Sequence, residues 1–560
     1  MTRVWISKLY FSDDTKVPLD KNDIVVLVGP NNAGKSATLT EAVHLLKTKN
    51  NKKNVLKDIT IEKDGTDTEL ISYLESFSRK EFSNNPLPHY QGYNYNIYEE
   101  NAKGYWRNFQ NGLSELVTVF VNTLTTMERL SAVNPPGSIK ITSQPPQHPI
   151  HFLQKYDNLE KKFSEYFKQA FGTDLIVHRN AGNEVPLYTG TKPIPKSGED
   201  RVSEEYLREL EKLDLLHQQG DGMKSFVGVL LNAFISNHSI LFIDEPEAFL
   251  HPPQARLLGK MLAKDLPSER QLFLATHSED FLKGLLDSNA NNLKIIRIQR
   301  NGKINKVSVL NNTDIKDIWN DSLLRHSNVL NGLFHSKVII CESDSDCRFF
   351  SAILSALYDT TEAIAPDILF IHCGGKHRIP TAIKALNKLN VNLKVVSDID
   401  VLNDINPLKD IFENLGGIWT EVEADWKLVK NEVEQKRPAL LSQELKTEID
   451  SIFDSTKERI FPKTKISEIK KSLKKASAWE EAKEVGKAFI PSGNATQAFE
   501  RIQIKFTAKG LLILEVGELE CFAKSVGNHG PKWVSEVLTK NLNADSELES
   551  ARQFVAQLIN

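Results

Sequence analysis

Cysteine is scarce in this chain of 560 residues: Cys341, Cys347, Cys373 and Cys521 all lie in the second half, and no two have CxxC spacing. That pattern speaks against a disulfide scaffold and against zinc, leaving reduced packing thiols as the expectation. Long apolar runs are missing too. None approaches the ~18 residues needed to span a bilayer, and the start, MTRVWISKLYFSDD, has no signal-peptide core, so a soluble, cytoplasmic protein with no membrane partner is expected. Nor does one sign of charge dominate. A net charge of −3 excludes a chain that is basic all over, so any contact with nucleic acid has to come from a local patch. The length, with 40% hydrophobic residues, allows two or more domains, each with its own core.

Against these absences, the stretch SILFIDEPEAFLHP, 239–252, stands out. Ile240 to Ile243 is short and uniformly apolar, as a buried central strand of an α/β sheet is. Asp244 and Glu245 then emerge at its carboxyl edge, where open α/β sheets bind ligands. There the first acid is placed to hold Mg²⁺ through water and the second to orient or deprotonate an attacking water.

Upstream, Val4 to Leu9 and Ile24 to Val28 read as strands, and the second runs into GPNNAGKS and then a helical pattern from Leu39 to Leu46. This GxxxxGKS sits between strand and helix, the context the motif requires. Amides of Gly29, Asn31, Asn32, Ala33 and Gly34 would cradle phosphate, Lys35 would reach the β and γ phosphates, and the Ser36 hydroxyl would ligate Mg²⁺. A long excursion separates the two motifs. In it, Glu115 to Leu124 suggests another strand, 133–149 is a Pro-rich break, and Phe152 to Phe171 and Val202 to Leu216 carry helical patterns suited to packing or dimer formation. QQGDGMKSF, 218–226, precedes an apolar helix from Val227 to Ile235. Gly220, Asp221, Gly222, Lys224 and Ser225 can serve a phosphate at that helix start, although a glycine cap on a buried helix explains the string equally simply. The strand Gln271 to Ala275 ends in Thr276-His277-Ser278, which places His277 to sense a γ-phosphate or merely to be a satisfied polar residue.

In this order the four motifs resemble the ATP-binding-cassette ATPases of the chromosome-maintenance and RecF kind, over roughly residues 1–310. The resemblance implies ATP as ligand and a head-to-head homodimer in which Lys35, Ser36, Asp244, Glu245 and His277 of one chain face the Gly220 to Ser225 signature of the other. The signature departs from the transporter-type LSGGQ, and no sustained heptad run is visible; both features disfavour a transporter motor or a long-armed clamp.

From Asn331 a second α/β pattern begins. KVIIC, 337–341, reads as a buried strand, followed by Glu342 and a helix that Asp346 opens, so the two carboxylates can converge on one cation. Ile368 to Cys373 is the next strand, broken at Gly374-Gly375-Lys376. Asn392 to Val396 is a third and ends in Ser397-Asp398-Ile399-Asp400, whose aspartates at i and i+2 point the same way. Singly, such acids are more often caps or solvated turn residues. Together at successive strand ends they form a hard-oxygen set for Mg²⁺ or Mn²⁺, suited to phosphoryl-transfer chemistry rather than zinc hydrolysis.

This E…DxD pattern resembles the Toprim domain of topoisomerases, primases and OLD-type nucleases, although Ser343 stands where glycine often follows the glutamate. An ATPase followed by a Toprim domain is the layout of the OLD family, which includes the nuclease subunit of the Gabija defence system. The resemblance implies an α/β fold: an ABC-type ATPase domain with a helical dimerisation insert (1–150, 151–217 and 218–330), then a Toprim domain with a Rossmann-like parallel sheet (331–560) and a helical insert at about 419–490. It implies Glu342, Asp398, Asp400 and Lys532 in catalysis, with Glu342, Asp346, Asp398, Asp400 and Glu520 binding metal and Glu518 competing with Glu520. Lys532 would stabilise charge on a scissile phosphate. The partners implied are DNA, further copies of the chain, and, as in some relatives, a helicase or a reverse transcriptase with its nucleic acid. Lys463, Lys465, Lys470, Lys471, Lys474 and Lys475, with Trp479 nearby, suit either a DNA backbone or a solvated helical face. The function the resemblance implies is an ATP-regulated, metal-dependent DNA endonuclease serving as an antiphage effector; the rival is a DNA-binding ATPase clamp with a non-cleaving Toprim platform. Topoisomerase or primase chemistry would need a Tyr nucleophile on its own DNA-binding module or a polymerising apparatus, and Tyr358, the only tyrosine of the second half, lies within a helical pattern.

Overall fold

The computed structural model describes residues 2–49, 54–82, 88–92, 95–302, 304–310, 312–321, 325, 328–359, 361–436, 441–474 and 478–559. It divides into two compact units, Met1–Asn320 and Asp321–Asn560. Among the described residues, no helix is long and apolar enough to cross a membrane.

The first unit is built on a six-stranded sheet in the order Ile304–Leu310, Leu293–Asn301, Ile24–Val28, Gln271–Ala275, Ile240–Asp244, Val121–Leu124. Five strands are parallel, and Ile304–Leu310 closes one edge as an antiparallel hairpin partner. Ile24–Val28 and Gln271–Ala275 are buried at every position, which is why both read as unbroken apolar runs. A second, antiparallel sheet joins Lys16–Pro18, Arg3–Phe11 and Leu56–Asp64. Gln271 stitches the two together: its amide accepts from the Ile6 N–H at 2.9 Å and donates to the Ile6 carbonyl at 2.8 Å.

Two segments depart from the sequence reading. Residues 114–120 form helical turns, and only Val121–Leu124 is a strand, because pairing with Ile240–Ile243 begins at Val121. An apolar run this short buries itself equally well either way. The stretch 151–217 is not helical throughout. After the helix Asp157–Phe171 come three short antiparallel strands, Asp174–Val177, Leu187–Gly190 and Asp214–Leu215, and the second helix spans only Glu204–Leu210. Glu160 ties this insert together from a buried position: Arg201 grips both its oxygens, at 2.7 and 2.6 Å, and Arg179 reaches it at 2.8 Å.

The second unit has a four-stranded, wholly parallel sheet in the order Ile368–His372, Lys337–Cys341, Leu393–Ser397, Leu511–Ile513. The chain steps to one side after its first strand and crosses to the other after its second. Lys337–Cys341 and Leu393–Ser397 therefore flank a topological switch point, where such sheets open a ligand crevice. Between the third and fourth strands lies the insert, with helices Glu423–Gln435, Ser442–Asp454, Lys463–Lys474 and Ala478–Val485, and Asn494–Ala508 then leads back to the sheet. The four cysteines are free thiols.

Candidate nucleotide site and candidate metal centre

In the first unit, Ile24–Val28 delivers the glycine loop to the carboxyl edge of the sheet. Gly29 has φ +144°, and a Cβ there would lie 2.0 Å from the Ile298 carbonyl oxygen, so only glycine lets the loop pass. Gly34, at φ +100°, turns the chain into the helix Lys35–Lys47, with Ser36 exposed in its first turn. Asn31 and Asn32 are exposed and Ala33 is buried. The Lys35 ammonium curls over the loop, donating to the carbonyls of Gly29 at 2.7 Å and Pro30 at 2.8 Å.

Two strands away, Asp244 ends Ile240–Asp244, and its buried Oδ1 accepts no hydrogen bond. Such an orphaned carboxylate oxygen fits a water-bound Mg²⁺. Glu245 sits in the left-handed region at φ +48°, and its Oε1 is 3.5 Å from Nε2 of His277. Burial pulls the His277 pKa down, and the positive charge of Lys35 lowers it further against the pull of Glu245 and Asp244, which shows that the glycine loop, the acid pair and the histidine share one locality.

Sequence reasoning missed Arg129 and Glu247. Arg129 is fully buried and donates to the carbonyls of both Asp244, at 2.8 Å, and Glu245. It pins the strained backbone that aims the acids, and burial lowers its pKa despite the three nearby carboxylates. Glu247 accepts from the Thr276 hydroxyl at 2.7 Å and the His277 N–H at 3.0 Å. Of the signature residues, Gly220 and Asp221 are exposed, and Lys224 pairs with Asp221 at 2.8 Å. A Cβ on Gly222 would come within 2.8 Å of the Phe249 carbonyl. Ser225 is fully buried, because the helix Asp221–Phe234 turns that position toward the core, and among the described residues its hydroxyl finds no hydrogen-bond partner.

In the second unit, an open cleft at the switch point is lined by Glu342, Asp346, Asp398, Glu518 and Glu520 among others. Glu342 follows Lys337–Cys341, and its Oε1 accepts the Asp398 N–H at 3.1 Å, binding the ends of adjacent strands together. Oxygens of Glu342, Asp398 and Asp400 lie within 4.8 Å of one another. Asp346 opens the helix Asp344–Asp359 and accepts the Ser343 N–H at 2.7 Å. The Gly374-Gly375 turn closes on this corner through the Gly375 N–H to the Glu342 carbonyl, 3.1 Å.

Glu518, Glu520 and His529 form a second triad with ligand atoms within 4.8 Å. Glu520 also accepts the Gly530 N–H at 2.7 Å. Both glutamates line the cleft, so the two candidates for a late acid stand side by side rather than one replacing the other.

Crowding among the acids is visible in their proton affinities. Burial, aided by the charge of Asp400, pushes the Glu342 carboxyl up to about 7. Burial likewise raises Asp398, Asp346 and Glu518. Such a set is short of positive charge, and Asp400 Oδ1 is buried without a hydrogen bond. An all-oxygen donor set with an orphaned oxygen fits Mg²⁺ or Mn²⁺.

Two lysines supply part of the missing charge, and neither had a local sequence signal. Lys376 donates to Asp400 at 2.9 Å, and Lys483, from the insert helix Ala478–Val485, lies 3.0 Å from Asp398. Lys532 is exposed in the first turn of Pro531–Val537, two residues beyond Gly530 at the cleft rim. Of the suggested DNA-contacting lysines, Lys463 and Lys470 are exposed and Lys465 pairs with Glu468 at 2.8 Å. The side chains of Lys471 and Lys474, and all of Lys475, lie outside the described residues. Trp479 is buried at 3% exposure, held in the unit's interior and unable to stack on nucleic acid.

Two families match parts of the two units, one in each. Residues 126–282 match the family described as "AAA domain, putative AbiEii toxin, Type IV TA system". Residues 333–400 match "Overcoming lysogenization defect protein-like, TOPRIM domain". The chain is 24% identical over 178 residues to the Old nuclease of Escherichia phage P2, a stretch that spans 30% of this chain and only 29% of that protein. Among solved structures it is similar to an SMC head domain from Pyrococcus furiosus with an extended coiled coil, bound to the C-terminal domain of ScpA (12% identity, 57% of this chain, 98% of that chain, TM-score 0.32). Another is the SMC head domain from Thermotoga maritima (11% identity, 55% and 99%, TM-score 0.29).

Proposed function

From a chain that joins an ABC-ATPase-like domain to an OLD-type Toprim domain, we propose a divalent-metal-dependent DNA endonuclease whose cleavage is controlled by ATP. The observation that carries this reading is the convergence of Glu342, Asp346, Asp398, Asp400, Glu518 and Glu520 on the switch-point crevice of one parallel sheet. When bound there, divalent ions would supply Lewis acidity, activating water and stabilising the leaving oxygen of a phosphodiester. The chain's own part is to hold the oxygens in place through the strand-end bond between Glu342 and Asp398 and the turn at Gly374-Gly375. Lys532, exposed near the cleft rim, is assigned to the negative charge that develops on the phosphate.

In the first unit, Lys35, Ser36 and the loop amides bind the triphosphate, Asp244 holds its Mg²⁺, and Glu245 with His277 orients water at the γ-phosphate. Two chains meeting head to head would complete each nucleotide site with Gly220 to Ser225 of the other, and the dimer would gate the nuclease through differential affinity for nucleotide in its two states. The biological role proposed is an antiphage effector, acting alone or beside a helicase or a reverse transcriptase with its nucleic acid.

The test is cleavage of supercoiled plasmid with Mg²⁺ or Mn²⁺, with and without ATP, by the wild type and Asp398→Ala. Nicking or linearisation by the wild type that Asp398→Ala abolishes is expected. Equal activity in the two proteins removes the nuclease site, whereas ATP-dependent DNA retention without strand breaks selects the non-cleaving clamp.

A further inference from the structure

Among the described residues, Lys483 is the one cation that touches both carboxylate groups of the cleft. Its Nζ lies 3.0 Å from Asp398 Oδ2, 3.8 Å from Asp400 Oδ1 and 3.7 Å from Glu518 Oε2. It reaches them from outside the sheet, on the last helix of the insert, and that helix is held by close backbone contacts. A Cβ on Gly517 would lie 2.0 Å from the Lys483 carbonyl oxygen, and one on Gly486 would lie 2.4 Å from the Glu515 carbonyl oxygen. Both glycines have positive φ, +114° and +73°. The Cys521 thiol adds a bond to the Lys483 carbonyl at 3.3 Å. The backbone at residue 483 is thus fixed, and the flexible four-carbon stem is the part free to move.

A divalent ion bound by Asp398 and Asp400 would take its oxygens at roughly 2.0–2.6 Å. An ammonium 3.0 Å from one of those same oxygens would then stand within a few ångströms of the ion, where like charges repel strongly at a partly buried site. The shared carboxylate cannot serve both in full. We propose that Lys483 is an exchangeable internal cation of the metal centre: it neutralises the acids when no divalent ion is bound, and it leaves Asp398 when one binds. The claim rests on the metal-centre reading above and adds to it that the helical insert takes part in the centre. It also gives the opposite sign from a supporting role. Removing a support weakens metal binding, whereas removing a competing cation strengthens it.

The experiment is calorimetric titration of the full chain with Mn²⁺ alone, for the wild type, Lys483→Met and Lys483→Arg. Lys483→Met is expected to bind roughly tenfold or more tightly than the wild type, and Lys483→Arg no more tightly than the wild type. The metal-free Lys483→Met protein should melt lower and gain more from Mn²⁺. Unchanged or weaker binding by Lys483→Met overturns the competition while leaving the metal centre standing; absence of Mn²⁺ binding to the wild type overturns both. A second readout uses the wild type and so survives a variant that does not fold. Acetylation of Lys483, followed by mass spectrometry, should rise several-fold on adding Mn²⁺ while exposed Lys463 stays constant, and an unchanged ratio refutes the exchange.

Discussion

Replacing Gly517 by alanine tests whether the insert positions the metal centre. A Cβ at this residue would lie 2.0 Å from the Lys483 carbonyl oxygen, and side-chain carbons do not approach closer than 3.0 Å, so the two backbones must separate by at least the difference, 1.0 Å. The φ of +114° adds strain of about 1–3 kcal/mol, because an L side chain rarely occupies that region. The displacement falls between Lys483 on one side and Glu518, the next residue, on the other. A misplacement of about 1 Å among catalytic groups costs on the order of 10²-fold in rate. Gly517→Ala is therefore expected to lower its urea midpoint and to cut plasmid nicking at saturating Mn²⁺ by about two orders of magnitude, while ATP binding by the first unit is retained. Both should be measured on the same preparation, with circular dichroism at the assay temperature to show that the chain is folded. A folded variant that cleaves at the wild-type rate refutes the idea that this glycine contact sets the geometry of the site.

Three further outcomes follow from the same geometry. Glu342 has a folded-state pKa raised from 4.5 to about 7, so the native state holds more protons than the unfolded chain between those values. The metal-free protein should lose up to roughly 3 kcal/mol as pH rises through that window, and Mn²⁺ affinity should climb across it; urea melts and Mn²⁺ titrations at pH 5.5 and 8 check both directions. Arg129→Met removes two hydrogen bonds to the Asp244 and Glu245 carbonyls, and should lower ATP hydrolysis at least about tenfold with nucleotide binding retained, as measured by phosphate release and fluorescent-nucleotide titration. Glu160→Gln removes the buried carboxylate that Arg201 and Arg179 grip from part-exposed positions, leaving them Asp157, and should destabilise the first unit by about 1–3 kcal/mol, read as a lower thermal midpoint.

Much of both centres was readable in the chain because their geometry is local. GPNNAGKS needs its glycines for the turn it makes, and KVIIC and LKVVS are short runs followed directly by acids, so once they are read as strands the acids emerge at one sheet edge. The partners supplied by distant segments were not readable. Arg129 acts on a backbone 115 residues away, and Lys483 looks in sequence like its neighbour Lys487 on a charged helix. Ser225 and Trp479 carried polar or aromatic signals, yet their helices turn them inward, and helical phase could not be assigned without knowing what each helix packs on. Among the described residues, the short strands of 174–215 pair only with each other, so their register belongs to the insert's own folding.

Among the described residues, the edge strand Leu511–Ile513 pairs only with Leu393–Ser397, and the glutamates at 518 and 520 follow it after the whole insert has been traversed. During synthesis, a nascent chain therefore presents Glu342, Asp346, Asp398 and Asp400 long before it can supply Glu518 and Glu520. The ribosome must release more than a hundred further residues first. A translation product that stops inside the insert has the first unit and three strands of the second unit's sheet but lacks Glu518 and Glu520, so an interrupted message would leave the candidate metal centre incomplete.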